Sequence, residues 1–235
     1  VEDYAILSHR WLPTEDEVLF CDIESVGHKN VGEKKGYFKL SQCCEQAKRD
    51  GLKYVWIDSC CIDKTDSTEV QESINSMYRW YGNATKCYAY LKDTTKSTTD
   101  VLQLGEKEEW FTRGWTLQEL VAPKNIQFFD TDWKLIGSKF SLGRYISKIT
   151  GIRRSVLGAD RLQRPQQHPQ NCSVAERMSW AARRQTTREE DRAYSLLGLF
   201  DVNMPMLYGE GGDKAFLRLQ EEIIKRFDDH SIFAW

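Results

Sequence analysis

Short, nearly unbroken apolar runs alternate with amphipathic stretches through the first half of the chain. Tyr4 to Leu7 reads as a buried strand, followed by the polar group Ser8, His9, Arg10 and then Trp11. A loop rich in charge and glycine runs to about Gly36. Leu40 to Asp50 has helical spacing with Gly51 as its stop, and Lys53 to Ile57 is a second apolar strand ending at Asp58. Val70, Ile74, Met77, Tyr78 and Tyr81 recur at helical spacing between Thr68 and Tyr81, and Gly82-Asn83 ends that segment. Lys86 to Leu91 is a third strand, and a polar loop from Lys92 to Thr99 leads to a tryptophan-rich helix closed by Pro123. Ile126 to Phe129 gives a fourth strand.

Strand and helix therefore alternate, the pattern of a parallel sheet covered on both faces. The second half reads as mostly helical. Helices are expected at Ser141 to Ile149, Val174 to Arg183 and Arg188 to Leu197, the last with Thr187 and Glu190 as a capping box and Gly198 as its stop. Gly158 to Cys172 reads as a loop. Asp213 to Phe227 carries Ala215, Phe216, Leu219, Ile223, Ile224 and Phe227 as a core-facing stripe, with Gly209 to Lys214 as the turn before it. Ser231 to Trp235 reads as a strand-like apolar end. The expected organisation is an α/β core over 1-137 and a helical part over 138-235 packed on it.

Composition narrows the function classes. A net charge of -2 with interleaved signs argues against a nucleic-acid or membrane surface. Seven cysteines, two pairs of them adjacent (Cys43-Cys44 and Cys60-Cys61), and no C-x-x-C argue against a disulfide framework or a zinc site. His9, His28, His168 and His230 make no ligand pattern, so no metal is expected. No run approaches a membrane span, and the N-terminus has no signal-peptide pattern. The expectation is a reduced, cytoplasmic, metal-free piece of a larger protein.

The densest chemistry lies in Trp110-Phe111-Thr112-Arg113-Gly114-Trp115-Thr116-Leu117-Gln118-Glu119-Leu120. On a helix Trp115 and Glu119 are i,i+4 neighbours, which puts an aromatic plane and an acid on one face. In open α/β sheets ligands bind beyond the carboxyl ends of the strands. That rule gathers Ser8, His9, Arg10, Trp11 and Asp58 at one edge and can bring Trp115 and Glu119 there. Each residue also has a plain structural use: Ser8 as a strand-end hydrogen-bond partner, His9 as a satisfied core histidine, Arg113 and Asp58 as a salt bridge. The Cys60-Cys61 pair is read as buried packing rather than as a nucleophile.

Three blocks, Tyr4 to Trp11, Tyr54 to Lys64 and Trp110 to Pro123, resemble the signature blocks of the fungal heterokaryon incompatibility (HET) domain. Arg177 to Ala181, Thr186 to Tyr194 and Met204 to Gly211 resemble its later motifs. The resemblance implies a cytosolic cell-death module of non-self recognition, often fused to nucleotide-binding and repeat domains. A second resemblance, through the order of elements, the strand ending at Ser8 and Trp115-Thr116-Leu117-Gln118-Glu119-Leu120, is to the Toll/interleukin-receptor (TIR) fold of plant immune receptors, with Thr116 where that motif has Cys.

The TIR resemblance implies a flavodoxin-like parallel sheet, NAD as substrate rather than cofactor, and Glu119 as the catalytic glutamate of an NAD glycohydrolase that works when clustered. Cleaving the nicotinamide-ribose bond passes through a ribosyl oxocarbenium ion, which needs negative charge nearby. Nicotinamide departs neutral and needs no second acid. Glu119, near a helix start, is expected to be ionised, with Trp110 or Trp115 stacking on a base and Arg10 or Arg113 pairing with the pyrophosphate. The competing expectation is a non-enzymatic module that acts by self-association and protein contacts.

Overall fold

The computed structural model describes residues 2-24, 31-95, 108-159 and 167-234. His28, half of the loop expected from Lys92 to Thr99 and part of that expected between Gly158 and Cys172 lie outside the described residues. Five strands form one sheet: β1 (Tyr4–His9), β2 (Tyr54–Trp56), β3 (Lys86–Tyr90), β4 (Ile126–Phe129) and β5 (Leu135–Ser138), in the order β2-β1-β3-β4-β5. The first four are parallel, with Ala5 opposite both Val55 and Lys86, and Cys87 opposite Ile126. β5 returns antiparallel on β4, a strand absent from the sequence reading. It crosses the expected boundary at residue 137.

The order 2-1-3-4-5 is the flavodoxin-like one, and it reverses direction between β1 and β3. Strand alternation divides the side chains between two cores. Ala5, Leu7, Tyr88 and Tyr90 face one side, with Cys43 and Ala47 of α2 (Tyr37–Arg49). Ile6, Cys87 and Ala89 face the other, with Ile74, Met77 and Tyr81 of α3 (Ser67–Asn83). A short α1 (Phe20–Glu24) precedes α2. Asp66 starts α3 by accepting the backbone N–H groups of Thr68 (2.8 Å) and Glu69 (3.3 Å).

The tryptophan-rich segment is a 3-10 turn (Glu109–Thr112) followed by α4 (Thr116–Val121). The C-terminal part supplies α5 (Gly143–Thr150), α6 (Val174–Ala181), α7 (Asp191–Tyr194), α8 (Leu197–Phe200) and α9 (Gly212–Arg226). Its buried side chains join those of the β1/α3 side in one continuous core.

Several local expectations are corrected here. The helix expected from Arg188 to Leu197 is two short turns, and Glu190 accepts the backbone N–H groups of Gly209 (2.8 Å) and Gly211 (3.2 Å) instead of completing a capping box. Gly198 lies inside α8, where a Cβ would meet the Tyr78 Cβ at 2.1 Å, so close helix packing rather than termination requires it. Ile224 is half exposed, so the α9 stripe is narrower than its periodicity suggests. Residues His230–Phe233 form a 3-10 turn, not a strand.

Candidate active site

Ser8 ends the buried run of β1 on the side that faces α4. Its hydroxyl donates to Glu119 Oε2 at 2.5 Å and accepts the indole N–H of Trp110 at 2.8 Å. Because an indole nitrogen only donates, Trp110 is the donor to Ser8, and the Ser8 hydroxyl in turn bonds Glu119. All three are buried, Trp110 and Ser8 completely and Glu119 with 4% exposure. The Tyr81 hydroxyl donates to the Leu7 carbonyl at 2.9 Å and also reaches Glu119.

Loss of water on burial and the nearby Asp58 charge push the Glu119 carboxyl up to about 8, against the Ser8 hydrogen bond, the positive Arg113 and the Tyr81 hydroxyl. The expectation of an ionised acid is therefore corrected. The helix dipole favours the anion at this first-turn position, but desolvation, which acts on the whole carboxylate, outweighs it. Glu119 is mostly protonated at neutral pH, and a cation brought beside it would favour the carboxylate.

His9, the next residue of β1, points to the opposite face. Its Nε2 lies 2.8 Å from Asp58 Oδ1, and Trp11 donates its indole N–H to Asp58 Oδ2 at 2.9 Å. Burial and repulsion from Lys39 hold the imidazole below its ordinary range despite Asp58. Burial works against the Asp58 charge, but the His9 contact, Lys64 and the Trp11 bond outweigh it, and the carboxyl lies below its usual range. Lys64 also sits over the Trp11 ring at 5.1 Å. Behind His9, Lys39 and Glu17 form a buried pair at 2.5 Å, and Lys39 donates to the Arg10 carbonyl at 3.1 Å.

The remaining expected residues are distributed around this edge. Arg10 pairs with Glu109 at 2.5 Å and faces Asp93 at 3.7 Å, so a phosphate would have to displace acids already in place. Trp110 has no free face for a base: Phe111 and Phe128 pack against it edge-on, and its role is the bond to Ser8. Trp115 is half-buried, and its indole donates to Asp191 at 3.2 Å. Asp58 is engaged by His9 and Trp11 and not by Arg113, whose charge acts on Glu119.

Sequence reasoning missed several residues that build the site. Tyr81 looked like one more position of an apolar stripe. Lys139 is buried and donates to the carbonyls of Val121 (3.2 Å) and Pro123 (2.8 Å), satisfying the end of the Glu119 helix. Among the described residues no group of ligands suited to a metal ion is found. A groove of about 400 Å³ lies among residues of the C-terminal end, including Ile224, Phe227 and Phe233, and none of the relay residues lines it.

Comparison with known proteins bears on this geometry. Residues 4–106 match the family model of the heterokaryon incompatibility protein (HET), and residues 214–235 match a domain of unknown function. The vegetative incompatibility protein HET-E-1 of Podospora anserina is 47% identical over 231 residues. That alignment covers 96% of this chain and 16% of the relative, so the chain spans a small fraction of that protein's length. No solved structure gave a significant match. No described helix is long and apolar enough to cross a membrane.

Proposed function

The chain belongs to the heterokaryon incompatibility (HET) domain family, and from that premise we propose that it is a fungal cell-death effector domain that cleaves the nicotinamide-ribose bond of NAD when clustered. The observation that carries the reading is the Trp110-Ser8-Glu119 relay at the β1/β3 reversal, where sheets of this order bind ligands. A buried acid with a raised pKa at such a point is a form that catalytic carboxylates take. The resemblance of the sequence to the TIR fold points to the same residue through the order of strands and the helix containing Glu119.

In this reading the cationic nicotinamide ring itself ionises Glu119 on binding. The carboxylate then faces the anomeric carbon as the bond to neutral nicotinamide breaks, and it stabilises the oxocarbenium ion. Water adds to that carbon and loses a proton, giving ADP-ribose, nicotinamide and a proton. Ser8, oriented by Trp110, holds the acid in place. The domain works in the cytoplasm, and self-association or fused nucleotide-binding and repeat domains would control it.

One observation favours a second reading. Glu119 is almost fully covered and bonded by its own chain, as a purely structural acid would be, and the domain would then kill through protein contacts alone. The deciding experiment measures nicotinamide release at high protein concentration, with and without forced oligomerisation, for the unaltered chain and Glu119→Gln. Release by the unaltered chain, reduced roughly 100-fold or more in the variant, supports the enzyme. No release from a clustered chain that still kills cells overturns it in favour of the assembly module.

A further inference from the structure

Residues 184 to 191 grip the segment that leads into the Glu119 helix. Gln185 accepts the Gly114 N–H at 2.8 Å through its carbonyl, and its own N–H donates to the Thr112 carbonyl at 2.7 Å, a short parallel bridge between Arg113 and Gln185. A Cβ on Gly114 would meet Thr186 Cγ2 at 2.5 Å, so a larger residue there would have to push Thr186 aside. Trp115 reaches Asp191. At the centre, Arg184 Nη1 donates to the Arg113 carbonyl at 2.8 Å and to Thr116 Oγ1 at 2.9 Å, and its Nε donates to the Trp180 carbonyl at 3.2 Å. Thr116 passes the contact on, its hydroxyl donating to the Trp110 carbonyl at 2.5 Å.

The partners of Arg184 are neutral oxygens, and among the described residues its buried Nη2 has no hydrogen-bond partner. A guanidinium is not expected to lose its proton, so a positive charge is held inside the fold. Such a charge is costly unless something compensates it. We propose that Arg184 is a positioning residue for Glu119: it pins the turn on which the Glu119 helix begins and supplies a buried positive charge that favours the carboxylate. Burial lowers the Arg184 guanidinium to about 10, still charged at neutral pH, and Glu119 acts on it in the opposing direction.

Other groups around Glu119 act on it as well. Asp58 beyond β2 opposes ionisation, as does burial among the core side chains, while Ser8 of β1, Arg113 and Tyr81 of α3 favour it. Cys87 of β3 is also close, and burial keeps its thiol protonated. Lys139 faces Cys87 and the end of the helix. Arg184 is thus a side chain of the helical C-terminal part whose charge is coupled to Glu119.

The test follows both charges by NMR in the folded chain. With glutamate labelled at its carboxyl carbon and the signal identified by Glu119→Gln, Arg184→Gln should raise the midpoint of Glu119 by about one pH unit, a tenfold change in its acid constant. Arg184→Lys, which keeps a charge, should leave most of that shift undone. Should Arg184→Gln not fold, the unaltered chain still decides: the Arg184 Nε signal should inflect at the Glu119 midpoint and lose that inflection in Glu119→Gln. An unmoved midpoint, or an Arg184 signal indifferent to Glu119, overturns the proposal. The catalytic consequence, an acid limb of NAD cleavage moved upward with the rate regained at high pH, rests on the enzyme reading; a correct titration without NAD cleavage would reject that reading alone.

Discussion

Glu119 and Asp58 lie at the same end of the sheet on opposite sides of β1, and their surroundings push them in opposite directions. Asp58 accepts from an imidazole and an indole and faces Lys64, and its carboxyl lies below the ordinary range. Glu119 accepts from neutral hydroxyls in a drier setting, and its carboxyl is raised to about 8. Burial opposes charge at both sites, so the difference comes from what else is present. The strand alternation that sends Ser8 one way and His9 the other gives the two acids separate settings. Environments that drive paired acids apart are how one site holds a fixed charge beside a switchable one.

The largest expected effect separates them by chemistry. Glu119→Gln should reduce nicotinamide release by roughly 100-fold to 1,000-fold with the fold retained, while Asp58→Asn should leave a measurable rate. Comparable losses in the two variants, with both folded by circular dichroism, would mean that the tasks are not divided as described.

A smaller effect separates them by stability. Glu119 is raised in the fold, so the unfolded chain gives up its proton first, and stability falls as pH rises from its unfolded value near 4.5 toward about 8. Glu119→Gln removes that loss and should be more stable than the unaltered chain by roughly 2–4 kcal/mol at pH 9, with little gain at pH 4. Asp58 has the opposite sign. Its contribution is present above the unfolded value near 3.8 and is lost as pH falls through the lower folded one, so Asp58→Asn should cost about 1–3 kcal/mol at pH 7. Urea titrations at each pH measure both, and parallel pH dependences would break the contrast.

The two acids also differ in how visible they are in the sequence. Asp58 follows an apolar strand directly, and its place at the edge is legible from the strand alone. The first four strands were legible for the same reason, because Tyr4 to Leu7, Lys53 to Ile57, Lys86 to Leu91 and Ile126 to Phe129 are compact apolar runs. β5 was not: Leu135-Ile136-Gly137-Ser138 is short, contains glycine and is partly exposed, so pairing with β4 rather than local pattern makes it a strand. The helix containing Glu119 was visible, but its acid's partners were not, since Ser8 and Trp110 are joined across a separation of 102 residues. Arg184 lies just past the helix expected over Val174 to Arg183, and only tertiary contacts turn it inward. The misjudged ionisation of Glu119 has the same origin: dipole position is local, whereas desolvation depends on the whole fold.

The finest test concerns the coupling between the two carboxylates. The Asp58 charge disfavours ionisation of Glu119, so Asp58→Asn should lower the Glu119 midpoint by about half a pH unit and move the acid limb of NAD cleavage the same way. At pH 7, where Glu119 is mostly protonated, the carboxylate fraction would rise roughly threefold. Removal of Arg184 should move the same midpoint in the opposite direction. Opposite displacements of one titration by charges in different parts of the fold are not expected from loosened packing, which would change the environment without respect to sign. If Asp58→Asn leaves the midpoint in place, the two acids are electrically separate, and β1 insulates its two faces instead of balancing them.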